Sequence, residues 1–186
     1  MKRTDRILDF TAYLLIPCYT ILFVKGSNWF TTNFSVLGNV IDRKNQFVLW
    51  GLIVGIYFYV ILNFISKKLQ PAPKCTFLIP LALILLVFAI TTPYLPQELP
   101  LKSFLHIVFA FLAAVCLALF LLLLVVRLYR ENRKEYRPYL AGLLGILLFS
   151  AFLLVLAGII SSALEIFFTL GITWFCRRLS AKISRG

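Results

Sequence analysis

Residues 102–126 read KSFLHIVFAFLAAVCLALFLLLLVV, and Lys102 is the one Asp, Glu, Lys or Arg among them. A helix needs about 20 consecutive apolar residues to cross the hydrocarbon core of a lipid bilayer. This stretch meets that requirement without interruption, so it predicts a transmembrane helix. The same requirement, applied outward along the rest of the chain, decides the fold class.

Five other stretches also meet this requirement, so the sequence predicts six spans. They are placed at residues 7–24, 46–66, 76–95, 102–126, 138–158 and 162–179. The first is interpreted as a mature helix and not a signal peptide, because no small-residue cleavage site follows Val24. Only Gly158 to Ser162 separate the last two spans, and their glycine and serines favour a tight helical hairpin. The predicted fold is all-α, a polytopic integral membrane protein with one domain of six transmembrane helices over residues 1–186.

The composition excludes an ordinary soluble domain. Hydrophobic residues make up 61% of the 186 residues and charged residues 14%, with a mean hydropathy of +0.94. Soluble domains are about half apolar and about a quarter charged. Lys and Arg outnumber Asp and Glu by 19 to 7, for a net charge of +12. In a chain this apolar, the excess indicates membrane orientation and contact with anionic lipid head groups, and not a nucleic-acid partner.

Lys and Arg in short loops indicate the orientation of a membrane protein, because cytoplasmic loops carry the excess. Six spans leave 15 of the 19 basic residues on the side of the two termini. The other side has Lys25, Arg43, Lys44 and Lys102. We therefore expect cytoplasmic termini and a multi-pass protein of a bacterial or archaeal plasma membrane. The basic run from Arg127 to Arg137 is interpreted as a solvated cytoplasmic loop that attracts anionic head groups.

Small residues spaced four apart mark helix contacts in membranes, because they let two backbones approach closely. Gly51 and Gly55 form such a pair in the second span, and they fit packing within the chain and a homodimer equally well. In the fourth span, three alanines form a stripe on one face: Ala110, Ala114 and Ala118. One turn further toward the outer end lies His106, which we therefore expect to point into the bundle.

The sixth span has a polar face. Its members recur at spacings of three and four: Ser162, Glu165, Thr169 and Thr173. Glu165 is therefore expected to face inward, at a depth similar to that of His106, about one turn below the outer end of its span. An ionisable group within a span is costly and is by default a functional hypothesis.

The first span contains Pro17, which predicts a kink because proline removes a backbone hydrogen bond. Tyr13 and Thr20 flank it and are candidates to satisfy the freed carbonyls. Asp9 lies at the cytoplasmic edge of this span, where we expect it to pair with Arg6 or to reach water.

The only sizeable loop, residues 25–45, is predicted on the outer side. It mixes aromatic residues with the polar residues Asn33, Ser35, Asn39 and Asp42, which suggests a segment at the interface or folded back over the bundle. Loop and spans then bring polar groups together at one end, as an outward-facing pocket. The candidate ligand-binding residues are Asn33, Ser35, Asn39, His106, Ser162 and Glu165.

The residues limit the chemistry of this pocket. Zinc needs three or more nitrogen, sulfur or carboxylate ligands, and the chain has one histidine and four cysteines. Cys18 and Cys116 fall inside spans, and Cys75 and Cys176 lie near the predicted cytoplasmic ends. We therefore predict no metal and no other cofactor, and we interpret the four cysteines as small apolar residues of the core.

The preferred hypothesis is a non-enzymatic membrane protein that binds a lipid or small amphiphile in this pocket, or that acts as a partner subunit. Its partners would be membrane lipids, and a second copy or another membrane protein is left open. A purely structural alternative is that His106 and Glu165 form a hydrogen-bonded pair. A second alternative is a small transporter subunit. A transporter needs a central polar path, and the middle of the predicted bundle offers little beyond Thr20, Ser150 and Thr169.

An intramembrane serine-type lipid hydrolase is the remaining alternative. It would use Ser35 as nucleophile, His106 as base and Glu165 as the group that orients the histidine. The sequence around Ser35 does not resemble a nucleophile elbow.

The phrase Asn33-Phe34-Ser35-Val36-Leu37-Gly38-Asn39 and the entry into the second span from Phe47 to Gly51 resemble a family of small six-helix bacterial and archaeal membrane proteins. It is known as domain of unknown function nine-nine-eight, and it is similar to the eukaryotic DRAM, Frag and Sfk membrane proteins. The family has a Ser-x-Leu-Gly phrase after the first helix, a histidine at the start of the fourth span and a glutamate at the start of the last. These positions are here Ser35, His106 and Glu165, while Ile166 stands where many members have arginine. The resemblance implies a role in lipid handling or membrane organisation.

Overall fold

The computed structural model describes residues 3–39, 41 and 43–184, with side chains from Asp5 onward. Asp42 of the predicted polar loop lies outside the described residues, as do Lys2 and Arg185 of the charge count. The described part is helical and contains no β-strand. Its helices are α1 (Arg3–Phe10), α2 (Ile16–Phe23), α3 (Phe34–Asn39), α4 (Lys44–Lys68), α5 (Leu78–Thr91), α6 (Pro100–Glu131), α7 (Arg133–Ala157) and α8 (Ser162–Ile183).

Four segments of the described chain are long and apolar enough to cross a membrane: Asp5–Phe23, Lys44–Lys68, Pro100–Glu131 and Arg133–Ala157. They coincide with the first, second, fourth and fifth predicted spans. The sixth predicted span lies within α8, where residues 162–179 include the charged side chains of Glu165, Arg177 and Arg178.

The third predicted span, 76–95, is helical only in its middle. α5 has 14 residues, which is about 21 Å of helix against a hydrocarbon core about 30 Å thick. The helix ends at Thr91 because Pro93 disfavours helical backbone at the residue before it and has no N–H to donate. Thr92 is accordingly extended, with φ of −82° and ψ of 123°.

The distortion expected at Pro17 is a π-helical turn, Thr11–Leu15, between α1 and α2. Ile16 N–H bonds the carbonyl of Thr11, five residues back, and in this register Ala12 O would face Pro17, which has no N–H. The indole of Trp174 on α8 donates to Ala12 O instead, at 3.1 Å. Thr20 was a candidate to satisfy the freed carbonyl, but its hydroxyl oxygen instead accepts from Trp50 Nε1 at 3.0 Å.

The glycine pair of the second span is a contact within the chain, between α4 and α5. A Cβ at Gly51 would lie 2.6 Å from Ile90 Cγ2, and one at Gly55 would lie 3.0 Å from Leu83 Cδ1. These distances are shorter than normal carbon contacts. The two glycines therefore let α5 approach α4 closely, as small residues do between helices in membranes.

The basic run from Arg127 to Arg137 is helical apart from Asn132, so the loop expected there is not formed. α6 ends at Glu131 and α7 begins at Arg133. Asn132 Oδ1 accepts from Glu135 N at 3.2 Å, and its Nδ2 donates to Glu135 Oε2 at 2.9 Å. This pair of bonds caps α7, because it satisfies one of the free N–H groups of its first turn.

The tight turn predicted between the last two spans is confirmed. Gly158 ends α7 in the left-handed conformation, with φ of 67°, which glycine adopts without steric cost. Ser161 precedes the first residue of α8 and caps that helix, because its hydroxyl accepts from Leu164 N at 3.4 Å. Four residues, 158–161, therefore connect α7 to α8.

The C-terminal half of α8 is tied by ion pairs to α1 and to the start of α7. Arg177 is buried, and its Nε donates to Asp9 Oδ1 at 2.6 Å. Asp9 therefore pairs with Arg177 and not with Arg6, the neighbour expected from the sequence. Lys182 pairs with Glu135. Because these contacts join distant parts of the chain, helix ends rich in Lys and Arg lie together at this end of the bundle.

Candidate functional site

The loop between the first and second spans folds back over the bundle, which is one of the two arrangements expected from its sequence, and it carries α3. Phe34, the first residue of α3, is fully buried and packs edge-on against Trp50, with 4.8 Å between the ring centroids. Gly38 on the same helix lies against Phe47, where an added Cβ would be 2.7 Å from Phe47 Cβ. This packing inserts Ser35 between the helices.

The same loop caps the start of α8. The first N–H groups of a helix lack partners within it, and here the loop carbonyls supply them. Ser162 N donates to Thr32 O at 2.7 Å, and Ala163 N donates to Trp29 O at 2.8 Å. In return, Glu165 on α8 accepts a hydrogen bond from Phe34 N, at the end of this loop.

Glu165 holds the start of α3. Its Oε2 accepts from Phe34 N at 2.7 Å, a bond between residues 131 positions apart. The carboxylate therefore satisfies one of the free N–H groups at the beginning of the helix that carries Ser35.

Ser35 and His106 form a direct hydrogen bond, with 2.6 Å between Ser35 Oγ and His106 Nε2. The other ring nitrogen, Nδ1, lies 2.9 Å from Thr92 O. A carbonyl oxygen can only accept, so Nδ1 carries the proton and Nε2 of the neutral ring is the acceptor. Ser35 Oγ–H therefore donates to His106 Nε2.

Two features fix the imidazole in this orientation. Thr92 O is available because α5 ends at Thr91 and Thr92 is extended, so its carbonyl has no helical partner. The ring lies near Tyr94, at 5.5 Å between centroids, and near Phe47, at 6.0 Å. His106 is buried, with 1% of its surface exposed, so the ring cannot turn without breaking these contacts.

Ser35, His106 and Glu165 line one cavity of about 470 Å³, within the range of small-molecule sites. It follows α4 from Phe47 to Leu62, which is about 20 Å along the helix axis. Its other walls come from α5, α6, α7 and α8 and are chiefly apolar, including Leu86, Ala110, Ala114, Leu147 and Phe168. The alanine stripe of α6 lines the cavity, and its small side chains leave this volume unfilled.

One wall of the cavity carries a hydroxyl without a partner in the described structure. Ser150 on α7 is 8% exposed, and its Oγ has no hydrogen-bond partner among the described residues. A buried hydroxyl without a partner costs free energy.

The six candidate residues divide into two groups. Ser35, His106 and Glu165 meet at the cavity. The other three serve the local backbone or the core. Asn33 caps α3, where its Oδ1 accepts from Val36 N at 2.8 Å, and Asn39 Nδ2 donates to Ser35 O at 3.1 Å. Ser162 is fully buried at the start of α8.

The structural pair between His106 and Glu165 is not formed, because each side chain bonds other groups. Glu165 bonds Phe34 N, whereas His106 bonds Ser35 and Thr92. Thr92 was missed by the sequence analysis because it contributes a backbone carbonyl, which no side-chain pattern reveals. The signal that could have found it is Pro93, which ends the helix and leaves the carbonyl before it without a helical partner.

Neither metal ligation nor similarity to known proteins adds to this description. Within residues 5–39, 41 and 43–184, no group of three His, Cys, Asp or Glu side chains is arranged to hold a metal ion. No protein family, no curated protein and no solved structure matches the chain.

Proposed function

We propose that this chain is a membrane protein that binds a lipid or a similar long amphiphile. The acyl chain would occupy the cavity, and the polar end of the molecule would contact Ser35, His106 and Glu165. One observation carries the proposal: a largely apolar cavity of about 470 Å³ has Ser35, His106 and Glu165 together at one end. An amphiphile has the same division into a long apolar part and a polar end.

The dimensions favour an acyl chain over a small polar solute. The cavity follows α4 for about 20 Å, and one leaflet of the hydrocarbon core is about 15 Å thick. A transported solute would need polar groups along its path, whereas the walls away from the polar end offer few hydroxyls, chiefly those of Tyr59, Ser150 and Thr169. This distribution favours lipid binding over the transporter alternative.

The polar end would supply most of the selectivity. An acyl chain that moves from the bilayer into this cavity exchanges one apolar environment for another, so burial alone stabilises the complex little. The head group, in contrast, meets a carboxylate that uses Oε2 on Phe34 N and retains further acceptor capacity. Glu165 therefore favours head groups that donate hydrogen bonds, such as hydroxyls or ammonium groups.

The proposal includes six spans with both termini on the cytoplasmic side of a plasma membrane. The ion pairs Asp9–Arg177 and Glu135–Lys182 support it, because they gather the basic helix ends on the side away from Ser35. Anionic head groups there would gain about 1 kcal/mol for each basic residue near the surface. In this orientation the polar end of the cavity faces outward. Reporter domains fused to the C-terminus test it, since a domain active only outside the cytoplasm should stay inactive.

Lipid retention tests the proposal directly. The wild-type protein, purified in detergent, should carry bound lipid that native mass spectrometry detects. Ala114→Phe would place an aromatic ring in the cavity, because Ala114 lines it, and should reduce the retained lipid at least about tenfold, or about 1.4 kcal/mol in binding free energy. Ala141→Phe is the matched control, since Ala141 is exposed on the outer surface of α7.

Two results would overturn lipid binding in the cavity. One is a wild-type protein that retains no lipid although it elutes as a folded species. The other is equal retention by Ala114→Phe and Ala141→Phe.

A further inference from the structure

The Ser35 and His106 side chains have the arrangement that activates a serine hydroxyl. Such an arrangement requires a hydroxyl within hydrogen-bond reach of a base, and a third group that orients the base. Here Ser35 Oγ is 2.6 Å from His106 Nε2, and Thr92 O holds the opposite nitrogen at 2.9 Å. The unprotonated nitrogen therefore faces the hydroxyl.

The pair also borders the cavity, where Ser35 is 9% exposed and His106 is almost fully buried behind it. Ser35 and His106 both line the space that the proposed lipid would occupy. The cavity walls around this pair are chiefly apolar, and electrostatic interactions are stronger in an apolar environment than in bulk solvent.

We propose that Ser35 is a nucleophile and His106 its general base in acyl transfer from an ester-linked lipid. This inference rests on lipid binding in the cavity and names its substrate class, a lipid ester with a long acyl chain. The cavity walls would hold the acyl chain, and the ester carbonyl would lie beside Ser35 at the polar end.

The first half-reaction forms an acyl-serine. Ser35 Oγ attacks the ester carbonyl carbon while His106 Nε2 takes its proton. The tetrahedral intermediate then collapses, the bond from the carbonyl carbon to the leaving alcohol breaks, and His106 Nε2–H protonates that alcohol. The products are the free alcohol and an acyl group on Ser35 Oγ.

Water, or the hydroxyl of a second lipid, completes the reaction. His106 Nε2 takes a proton from this acceptor, whose oxygen attacks the acyl carbonyl carbon. The bond to Ser35 Oγ breaks, and His106 returns the proton to that oxygen. With water the net change is hydrolysis of the ester to a fatty acid and an alcohol, and no oxidant or reductant is needed.

The orienting group in this pair is a backbone carbonyl and not Glu165. Glu165 bonds Phe34 N, next to Ser35 in the chain, so it fixes the helix that presents the nucleophile. The triad suggested by the residue types alone is therefore revised to a Ser35–His106 pair oriented by Thr92.

An alkyl fluorophosphonate with a long chain is the probe, because it reacts with activated serine hydroxyls and resembles a lipid ester. The purified wild-type protein should gain one adduct, and peptide mapping should locate it on Ser35. Ser35→Ala should abolish the adduct, and His106→Gln should slow labelling at least about 100-fold, the lower range for loss of a general base. The control is Ser66→Ala. Ser66 is also a buried serine, but it lies near the C-terminal end of α4.

The outcomes separate this inference from lipid binding. Wild-type protein that retains lipid but is not labelled on Ser35 would overturn acyl transfer and leave lipid binding intact. Protein that is labelled on Ser35 but retains no lipid would support acyl transfer and contradict stable lipid binding. Labelling that persists in Ser35→Ala would overturn the assignment of the nucleophile. Mapping on the wild-type protein needs no variant to fold.

Discussion

Phe34 N donates a hydrogen bond to Glu165 Oε2 at 2.7 Å, which joins the loop after the first span to the start of α8. The bond has two consequences. It gives the Glu165 carboxylate a partner within an apolar bundle, and it fixes the N-terminal end of the helix that carries Ser35. The polar end of the cavity therefore depends on a contact between the first and last parts of the chain.

Glu165→Ala should destabilise the protein by about 1–3 kcal/mol, because it leaves the buried Phe34 N–H without its partner. Glu165→Gln retains an acceptor oxygen and should cost less. Thermal unfolding in detergent measures both variants. Equal loss of stability in the two would contradict a role for the hydrogen bond.

Gly38→Ala should destabilise the docked loop by about 1–3 kcal/mol, the usual effect of overpacking. The added Cβ would lie 2.7 Å from Phe47 Cβ, so α3 would have to move away from α4. Gly142→Ala is the matched control, because nothing lies within 4 Å of the added atom. That variant should be neutral or stabilised by up to about 1 kcal/mol from helix propensity. Limited proteolysis within residues 25–33 would report loosening of the loop in Gly38→Ala.

Asp9→Asn should destabilise the protein by about 3 kcal/mol, because it leaves the buried guanidinium of Arg177 without its closest carboxylate. Asp5 Oδ1 remains 3.7 Å from Arg177 Nη2. We therefore expect a loss at the low end of the range for a broken buried ion pair. Arg177→Met in the Asp9→Asn background should recover part of the loss. A double-mutant cycle measured by thermal unfolding gives the coupling, and strictly additive effects would exclude the pair as an energetic unit.

Trp174→Phe should cost about 1–3 kcal/mol, since Ala12 O would lose the indole N–H that serves it across the π-helical turn. The effect depends on Pro17. In a Pro17→Ala background the first helix can form its own backbone bonds, so Trp174→Phe should cost less there. If the cost is the same in both backgrounds, the indole contributes through packing and not through this hydrogen bond.

The inward positions of His106 and Glu165 could be predicted because they depend on local periodicity. Residues three and four apart share one face of a helix, so the alanine stripe indicated the direction of His106 and the polar stripe that of Glu165. The Ser35–His106 contact was one alternative from the residue types, whereas the backbone partners of His106 and Glu165 could not be predicted. Thr92 contributes only its carbonyl, and Phe34 only its N–H, and a backbone group leaves no pattern in the side chains.

By itself, the sequence determined the helical membrane class, the direction of the polar faces and the turn at Gly158, because these follow from hydropathy, helix period and the conformational freedom of glycine. Only the tertiary structure decided three contacts: the ion pair of Asp9 with Arg177, the hydrogen bond from Trp174 to Ala12 O, and the hydrogen bond from Ser35 to His106. Each of these bonds joins residues more than 70 positions apart. In an apolar bundle a polar group must find a partner, but which partner it finds depends on how the helices are arranged in space.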